Sequence, residues 1–395
     1  MIKTTRDFFL DIDSYQFYKY RQYVSGDVVL THKIKEENRV ITCLSDGLGS
    51  GIKASVLANL TATMAVKYTS NYADVTETAE VIMDTLPVCS VRKISYSTFT
   101  IVDVNSSGHA RIIEHGNPNY VLLRGAEFVK VPRSPIQLTK WSDRQVNVSE
   151  FDFHIGDRLI YFSDGVSQAG MGLPDYPLGW SAREVTRNIQ QWIGWEKDIS
   201  SRQLARKIAF HARQIDSFEP KDDITCGVIY MRHPRFLLLV TGPPFSEARD
   251  QELASVLKSF NGRKVICGGT TAQILGRELN EEIEMDLDNI DPEIPPPSRM
   301  AGVELITEGT LTLSKVAEML ESGQKPETAR SNAASALASI LLDSDVIHFL
   351  VGTRVNEAHQ DPNLPVELDI RRNIIKKIAA LLEEKYLKDT QKRFI

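Results

Sequence analysis

The chain has 395 residues, of which 42% are hydrophobic and 25% charged. Those proportions exclude a mainly disordered chain and a fibrous repeat, and the length predicts two or three domains, each able to bury its own core. A net charge of −6 gives no electrostatic footprint for nucleic acid or for an anionic membrane surface.

The amino-terminal stretch MIKTTRDFF is polar and lacks a signal-peptide core. Arg39–Ser45 reads as a strand running into Asp46–Gly51. A helical stretch over residues 50–67 follows, rich in Ala, Leu and Met, and a second helix over Val75–Thr85 stops before Pro87. Strand patterns then recur at Ser97–Val104, Ala110–Glu114, Asn119–Leu123, Phe128–Val131, Gln145–Phe151 and Asp157–Phe162, separated by turn clusters such as Asn105–Gly108. Amphipathic helices are predicted at Ser181–Ile193 and Ser200–Ile215, and a last strand at Ile224–Met231. Strands flanking clustered helices predict an α+β fold, with helices packed on stacked sheets.

His233-Pro234 punctuates the chain, and the pattern changes after it. Strands at Phe236–Val240, Lys264–Ile266, Val303–Ile306 and Val346–Val351 alternate with helices at Ser246–Ser259, Thr270–Leu279, Leu313–Glu321, Pro326–Leu342 and Ile370–Leu387. Such alternation predicts a smaller α/β domain with a mostly parallel sheet over residues 235–395, after a first domain over 1–232. Glu282, Glu284, Asp286 and Asp288 alternate with apolar residues, as in a half-exposed edge strand. Cys43, Cys89, Cys226 and Cys267 form no CxxC pair and sit among apolar residues, which fits a reducing compartment. The longest aliphatic stretch, near Leu237–Val240, is too short to span a bilayer. The expectation is a cytoplasmic protein.

Four motifs place Asp at a strand end beside glycine or a second acid. They are Ser25-Gly26-Asp27, Asp46–Gly51, Ser163-Asp164-Gly165 and Asp222-Asp223-Ile224-Thr225. Carboxylates beside buried strands are costly unless paired or bound to a cation. Oxygen-only ligands suit Mg²⁺ or Mn²⁺, and four converging acids could hold two such ions. One Asp-Gly is an ordinary turn; for the set, spacing alone leaves turns and a metal site both open.

These motifs resemble, in order, those of the stage II sporulation protein E type of metal-dependent (type 2C, PPM) serine/threonine protein phosphatases, over residues 20–231. Tyr96–Asp103 is similar to the family's central strand, Gly116-Asn117-Pro118 to its Gly-x-Pro turn, and Gly156–Ile160 to the run into its third motif. The resemblance implies a layered β-sandwich flanked by helices. It implies two divalent metal ions, Mn²⁺ or Mg²⁺, bridged by Asp46. The Gly47 carbonyl would be a further ligand, Asp164 and Asp222 would hold one ion, and Asp27 would serve at the second. Asp223 stands where the wider superfamily often has Asn, so Asp222 and Asp223 both stay open as the ligand. Asp46 and Asp164 carry the catalytic expectation, which is hydrolysis of phosphoserine or phosphothreonine on a protein in a bacterial-type partner-switching circuit. A metal-activated water would attack, without a phosphoenzyme.

Leu48 stands where larger relatives carry His, so no general acid is assigned; His115 and His211 are the candidates, each more simply read as structural. Arg21 is a weak candidate for the substrate phosphate, and Tyr20 and Tyr23 read as core or rim packing. The helix after Gly49 is either a core helix or one that couples a regulator to Asp46 and Gly47. Residues 235–395 carry no recognised family motif and read as a regulatory or partner-binding α/β domain. There Gly268, Gly269 and Thr270 open a helix after a strand, which is a structural turn or an anion site for a regulator. The partners expected are a phosphorylated protein substrate and a small-molecule or protein regulator, with a homodimer possible and neither nucleic acid nor membrane. The rival reading is a catalytically weak phosphatase-like sensor module regulated through the second domain; a phosphatase for a small metabolite is a third.

Overall fold

The structure, a computed structural model, describes residues 7–49, 51–85, 97–139, 145–286, 291–324, 326, 330–354 and 364–395, the side chains of 364–369 excepted. The chain divides into two units. One is Leu10–Arg232, and the other is His233–Ile395 with Asp7–Phe9.

The first unit is built from β1 (Phe9–Phe17), β2 (Asp27–Ile34), β3 (Arg39–Gly47), α1 (Ile52–Ser70), α2 (Val75–Thr85), β4 (Ser97–Val104), β5 (His109–His115), β6 (Val121–Arg124), β7 (Glu127–Phe128), β8 (Ser134–Gln137), β9 (Gln145–Asp152), β10 (Asp157–Phe162), α3 (Asp164–Ser167), α4 (Ala182–Trp195), α5 (Ser201–Ile215) and β11 (Ile224–Arg232). Strand parity decides the layers. On β3, Ile41 and Cys43 pack with Leu57 and Ala62 of α1 and Ile82 of α2. Thr42 faces the other way, and its hydroxyl lies 3.1 Å from the buried Tyr161 hydroxyl on β10. On β10 and β11, Ile160, Phe162, Ile224 and Cys226 pack under Ile189 of α4 and Ile208 of α5. The result is an antiparallel six-stranded sheet, ordered β2-β3-β4-β5-β9-β8, facing a five-stranded sheet, β1-β11-β10-β6-β7. Helices cover both outer faces.

The second unit contains β12 (Phe236–Thr241), a 3₁₀ turn (Glu247–Arg249), α6 (Asp250–Ser259), β13 (Arg263–Cys267), α7 (Gly269–Leu279), β14 (Glu284–Met285), β15 (Ser298–Met300), β16 (Val303–Thr307), α8 (Thr310–Ser322), α9 (Ala333–Asp343), β17 (Val346–Val351), α10 (Leu364–Glu384) and β18 (Asp389–Phe394). Its sheet runs β14-β15-β16-β13-β12-β17-β18. The five strands from β16 to β18 are parallel, and β14 and β15 add an antiparallel edge. Leu237 and Leu239 pack with α8, α9 and α10, whereas Leu238 and Val240 pack with α6 and α7. Burial on both faces is why this strand reads as an unbroken apolar run.

Several expectations need correction. The sequence patterns do not predict the strands β1, β2, β8, β15 and β18. The Ala-rich helix begins at Ala333 rather than 326, because Asn332 caps it: its side chain accepts from the Ala334 and Ser335 amides, both at 3.0 Å. The last helix begins at Leu364 and ends at Glu384. Cys89, Tyr96, Asp288 and residues 327–329 lie outside the described residues. Cys43, Cys226 and Cys267 are buried free thiols. Among the described residues, no helix is long and apolar enough to cross a membrane.

Candidate metal centre

The four Asp motifs meet at one end of the two sheets of the first unit. Asp46 lies next to the end of β3 and Asp27 opens β2; the antiparallel register sets them directly opposite each other. Phe162 at the end of β10 pairs with Cys226 near the start of β11. That pairing brings Asp164, the first residue of α3, to the turn that carries Asp222 and Asp223. Two of the acids thus precede their strands instead of following them. The junction is tight: Ser163 donates its amide to the Thr225 carbonyl at 3.0 Å and accepts the Thr225 amide on Oγ at 3.1 Å.

Two glycines make this approach possible. A Cβ on Gly47 would fall 2.2 Å from the Ala54 carbonyl oxygen on α1, and one on Gly165 would fall 2.1 Å from the Asp223 carbonyl oxygen. Only a residue without a side chain fits either place.

Electrostatics bind the acids into one group. Burial pushes the Asp46 carboxyl up to about 10, with further repulsion from Asp27, Asp164 and Asp222. Burial likewise pushes Asp27 up to about 8, although the Thr225 and Ser163 hydroxyls offset part of it. Asp27 is 4% exposed, and its Oδ2 has no hydrogen-bond partner. Asp164 and Asp222 are raised as well, chiefly by burial. Lys19 stands beside the cluster, its Nζ 3.9 Å from Asp222 Oδ1 with both side chains partly exposed.

Asp223 has a different environment from Asp222. Its Oδ1 accepts the Lys19 amide at 2.9 Å and its Oδ2 accepts the Gly26 amide at 2.8 Å, deep in the protein. Asp222 is half exposed and accepts the Asp223 amide at 3.0 Å.

A buried carboxylate with an orphaned oxygen, crowded by like charges and served by oxygen donors alone, fits a hard divalent cation. The side chains are not gathered around a point: among the described residues, no three Asp, Glu, His or Cys side chains have the spacing of a finished ligand set.

The histidine candidates lie in other packing environments. His211 sits edge-on to Trp180 and Trp192, at 4.8 and 5.5 Å between ring centres. His115 packs on Phe99 and faces the Gln145 carbonyl at 3.2 Å. Arg21 adopts a left-handed backbone, φ 62°, with its guanidinium over Tyr20. Tyr20 and Tyr23 are exposed, Tyr23 at 92%, so neither is core. Three contributors carry no motif signal. Gln16 on β1 donates from Nε2 to Ser25 Oγ, the Asp27 carbonyl and Thr225 Oγ1 at 2.7–3.0 Å. Gln168 donates to Asp164 Oδ2 at 2.9 Å. Lys19 is the third.

Residues 36–232 match the family model described as Stage II sporulation protein E (SpoIIE). This segment belongs to the SpoIIE family. Solved structures similar to the SpoIIE segment include the PP2C phosphatase domain with a fragment of the regulatory domain of the cell fate determinant SpoIIE from Bacillus subtilis. That match has 20% identity, covers 58% of this chain and 65% of the other, and has a TM-score of 0.48. A second is the RsbU and RsbW domains of a Mycobacterium tuberculosis protein, at 16% identity, covering 63% and 67%, with a TM-score of 0.46. A third is RsbX in complex with magnesium, at 18% identity, covering 57% and 97%, with a TM-score of 0.39. No curated protein sequence matches the chain. The SpoIIE segment ends at Arg232, where the first unit also ends.

Proposed function

We propose that the SpoIIE domain hydrolyses phosphoserine or phosphothreonine on a protein partner, using two divalent cations at the acid cluster. The observation that carries this reading is the half-buried Asp46 carboxyl, directly opposite Asp27 on β2 and set against Asp164 and Asp222. Asp46, the Gly47 carbonyl, Asp164 and Asp222 would hold the ions, with Asp27 at the second. When bound, Mn²⁺ or Mg²⁺ offsets the charge of a phosphomonoester dianion and lowers the pKa of a water so that it can attack phosphorus.

The chain's own residues prepare this site. Asp223 clamps the Gly26 and Lys19 amides, which holds Asp27 at its place and Lys19 at the edge of the cluster. Gln168 orients Asp164. Lys19, partly exposed beside Asp222, would meet the substrate phosphate. Ser163 is fully buried, and its hydroxyl is committed to the Asp223 carbonyl and the Thr225 amide, so it is no nucleophile. This supports direct transfer to water without a phosphoenzyme. The unit from His233 onward would regulate the activity.

Phosphate release from a phosphoserine protein in Mn²⁺ tests the proposal. Asp46→Ala and Asp164→Ala should each lose nearly all activity. Unchanged release in either variant would place the chemistry elsewhere.

A further inference from the structure

Just before β2 the chain reads Tyr18-Lys19-Tyr20-Arg21-Gln22-Tyr23, three aromatic and two basic side chains with no acid among them, in a protein of net charge −6. All three tyrosines face solvent. The backbone fastens this segment to the acid cluster. Lys19 donates its amide to Asp223, and Tyr20 donates its amide to the Pro220 carbonyl at 2.8 Å. Further along, Gln22 Oε1 lies 3.2 Å from where a Cβ on Gly51 would stand. The segment therefore runs along the rim of the site, from the fourth motif to the second.

Pro220 leads back to a second group of exposed rings. Phe218 and Phe210 both reach solvent, with ring centres 6.0 Å apart, and Phe210 lies 6.3 Å from Phe17 at the end of β1. Arg213 lies over Phe17 and Phe218, 4.7 and 5.6 Å from their ring centres. Ser217 and Phe218 both take the left-handed backbone, φ 57° and 65°, which residues with a side chain avoid. Strain of this kind collects at functional surfaces. The charges here are unspent: among the described residues, neither Arg21 nor Arg213 has a carboxylate within ion-pair distance, and each lies against an aromatic ring. Glu219 is the one acid on the turn over residues 217–221, and Lys221 follows it. Exposed Tyr, Phe and Arg are the residues that protein–protein interfaces concentrate.

We propose, resting on the phosphatase reading, that this surface docks the protein substrate. Residues flanking the phosphorylated serine or threonine bring acidic groups to Arg21 and Arg213 and an apolar side chain onto Phe218 and Phe210. Charge complementarity selects the acidic flank, and the rings select the apolar anchor. Phe218 precedes Asp222 by four residues, at most about 14 Å of extended chain. The anchor therefore lies within about four or five positions of the phosphorylated residue.

Three short peptides test it on the full chain: one with a central phosphoserine flanked by Asp and Leu, one with the same phosphoserine among Gly and Ser, and a fluorescein-labelled, unphosphorylated copy of the first. In Mn²⁺ the Asp/Leu phosphopeptide should be hydrolysed with a kcat/KM at least tenfold above the Gly/Ser one, the difference lying in KM. The labelled copy should bind saturably by fluorescence anisotropy. Phe218→Asn, a substitution compatible with the left-handed backbone, and Arg213→Gln should each raise KM for the Asp/Leu phosphopeptide at least fivefold and weaken the labelled copy in proportion. Thermal unfolding of both variants checks that the fold is intact. Equal kcat/KM for the two phosphopeptides, no saturable binding of the labelled copy, or an unchanged KM in the folded variants overturns the dock and leaves the phosphatase reading in place. Binding of the labelled copy without phosphate release from either phosphopeptide overturns the phosphatase reading and leaves the surface as a peptide dock. Binding to phosphatidylserine vesicles in preference to the labelled copy assigns the surface to a membrane and overturns the proposal.

Discussion

Asp27 and Asp46 face each other as direct cross-strand partners on one side of an antiparallel pair. Like charges so placed are destabilising, and burial adds to the strain by raising both carboxyls. Asp27→Asn should therefore stabilise the metal-free protein, by about 1 kcal/mol or about 2–4 °C in thermal unfolding with EDTA. The same variant should lose phosphatase activity by about tenfold or more. A melting point that falls would show that this pair is not under electrostatic strain.

Asp222 and Asp223 should separate cleanly on substitution. Asp223→Ala removes the acceptor for two backbone amides and should cost about 2–4 kcal/mol in urea unfolding. Asp222→Ala, at a half-exposed side chain, should cost under about 1 kcal/mol. It should nonetheless weaken Mn²⁺ binding measured by calorimetry. Reversed stability costs would exchange the two roles.

Gly165→Ala tests how closely the third and fourth motifs are pressed together. The new methyl group would sit 2.1 Å from a backbone oxygen, which cannot swing away. A loss of about 2–3 kcal/mol is expected. Chemical denaturation of the variant in EDTA isolates this packing effect from any ion.

His348 sets a pH dependence in the second unit. It is 3% exposed on β17, edge-on to Phe260 and stacked on Phe236, with Gln391 of the neighbouring β18 paired opposite it. Burial depresses its pKa below the ordinary 6.5, and a hydrogen bond to the Gln391 side chain, which favours the protonated ring, offsets part of that. The unfolded chain therefore takes up a proton before the folded one does. The stability contributed by the neutral ring is fully present above pH 6.5 and is lost as pH falls from there through the folded value. His348→Leu should remove that slope from a series of unfolding curves between pH 5 and pH 8. An unaltered slope would assign the effect to another group.

Much of the architecture was legible in the sequence because its signals are local. Helix α2 and strand β4 fall where the pattern puts them, and the four acid motifs lie at one end of the two sheets. The missed strands lack that signal. In β1, Asp11 and Asp13 interrupt the apolar residues, and β18, DTQKRF, is polar with mostly exposed side chains. Register was illegible in principle. Nothing local says that residue 27 opposes residue 46, because a slip of one position would turn every side chain of β2 over. Adjacent Asp222 and Asp223 are chemically identical, and only the amides of Gly26 and Lys19, 197 and 204 residues away in sequence, tell them apart. Gln16 belongs to the site through contacts that no motif encodes.

The central parallel strand of the second unit, β12, has a consequence for synthesis. Phe236 pairs with Val346, so β12 waits for a neighbour made 110 residues later. At ribosomal speeds of about 5–20 residues per second, that run of leucines spends roughly 5–20 s with one edge unprotected. During that interval the nascent protein is a natural client for holdase chaperones, and slowing translation over residues 242–345 would lengthen its exposure to aggregation.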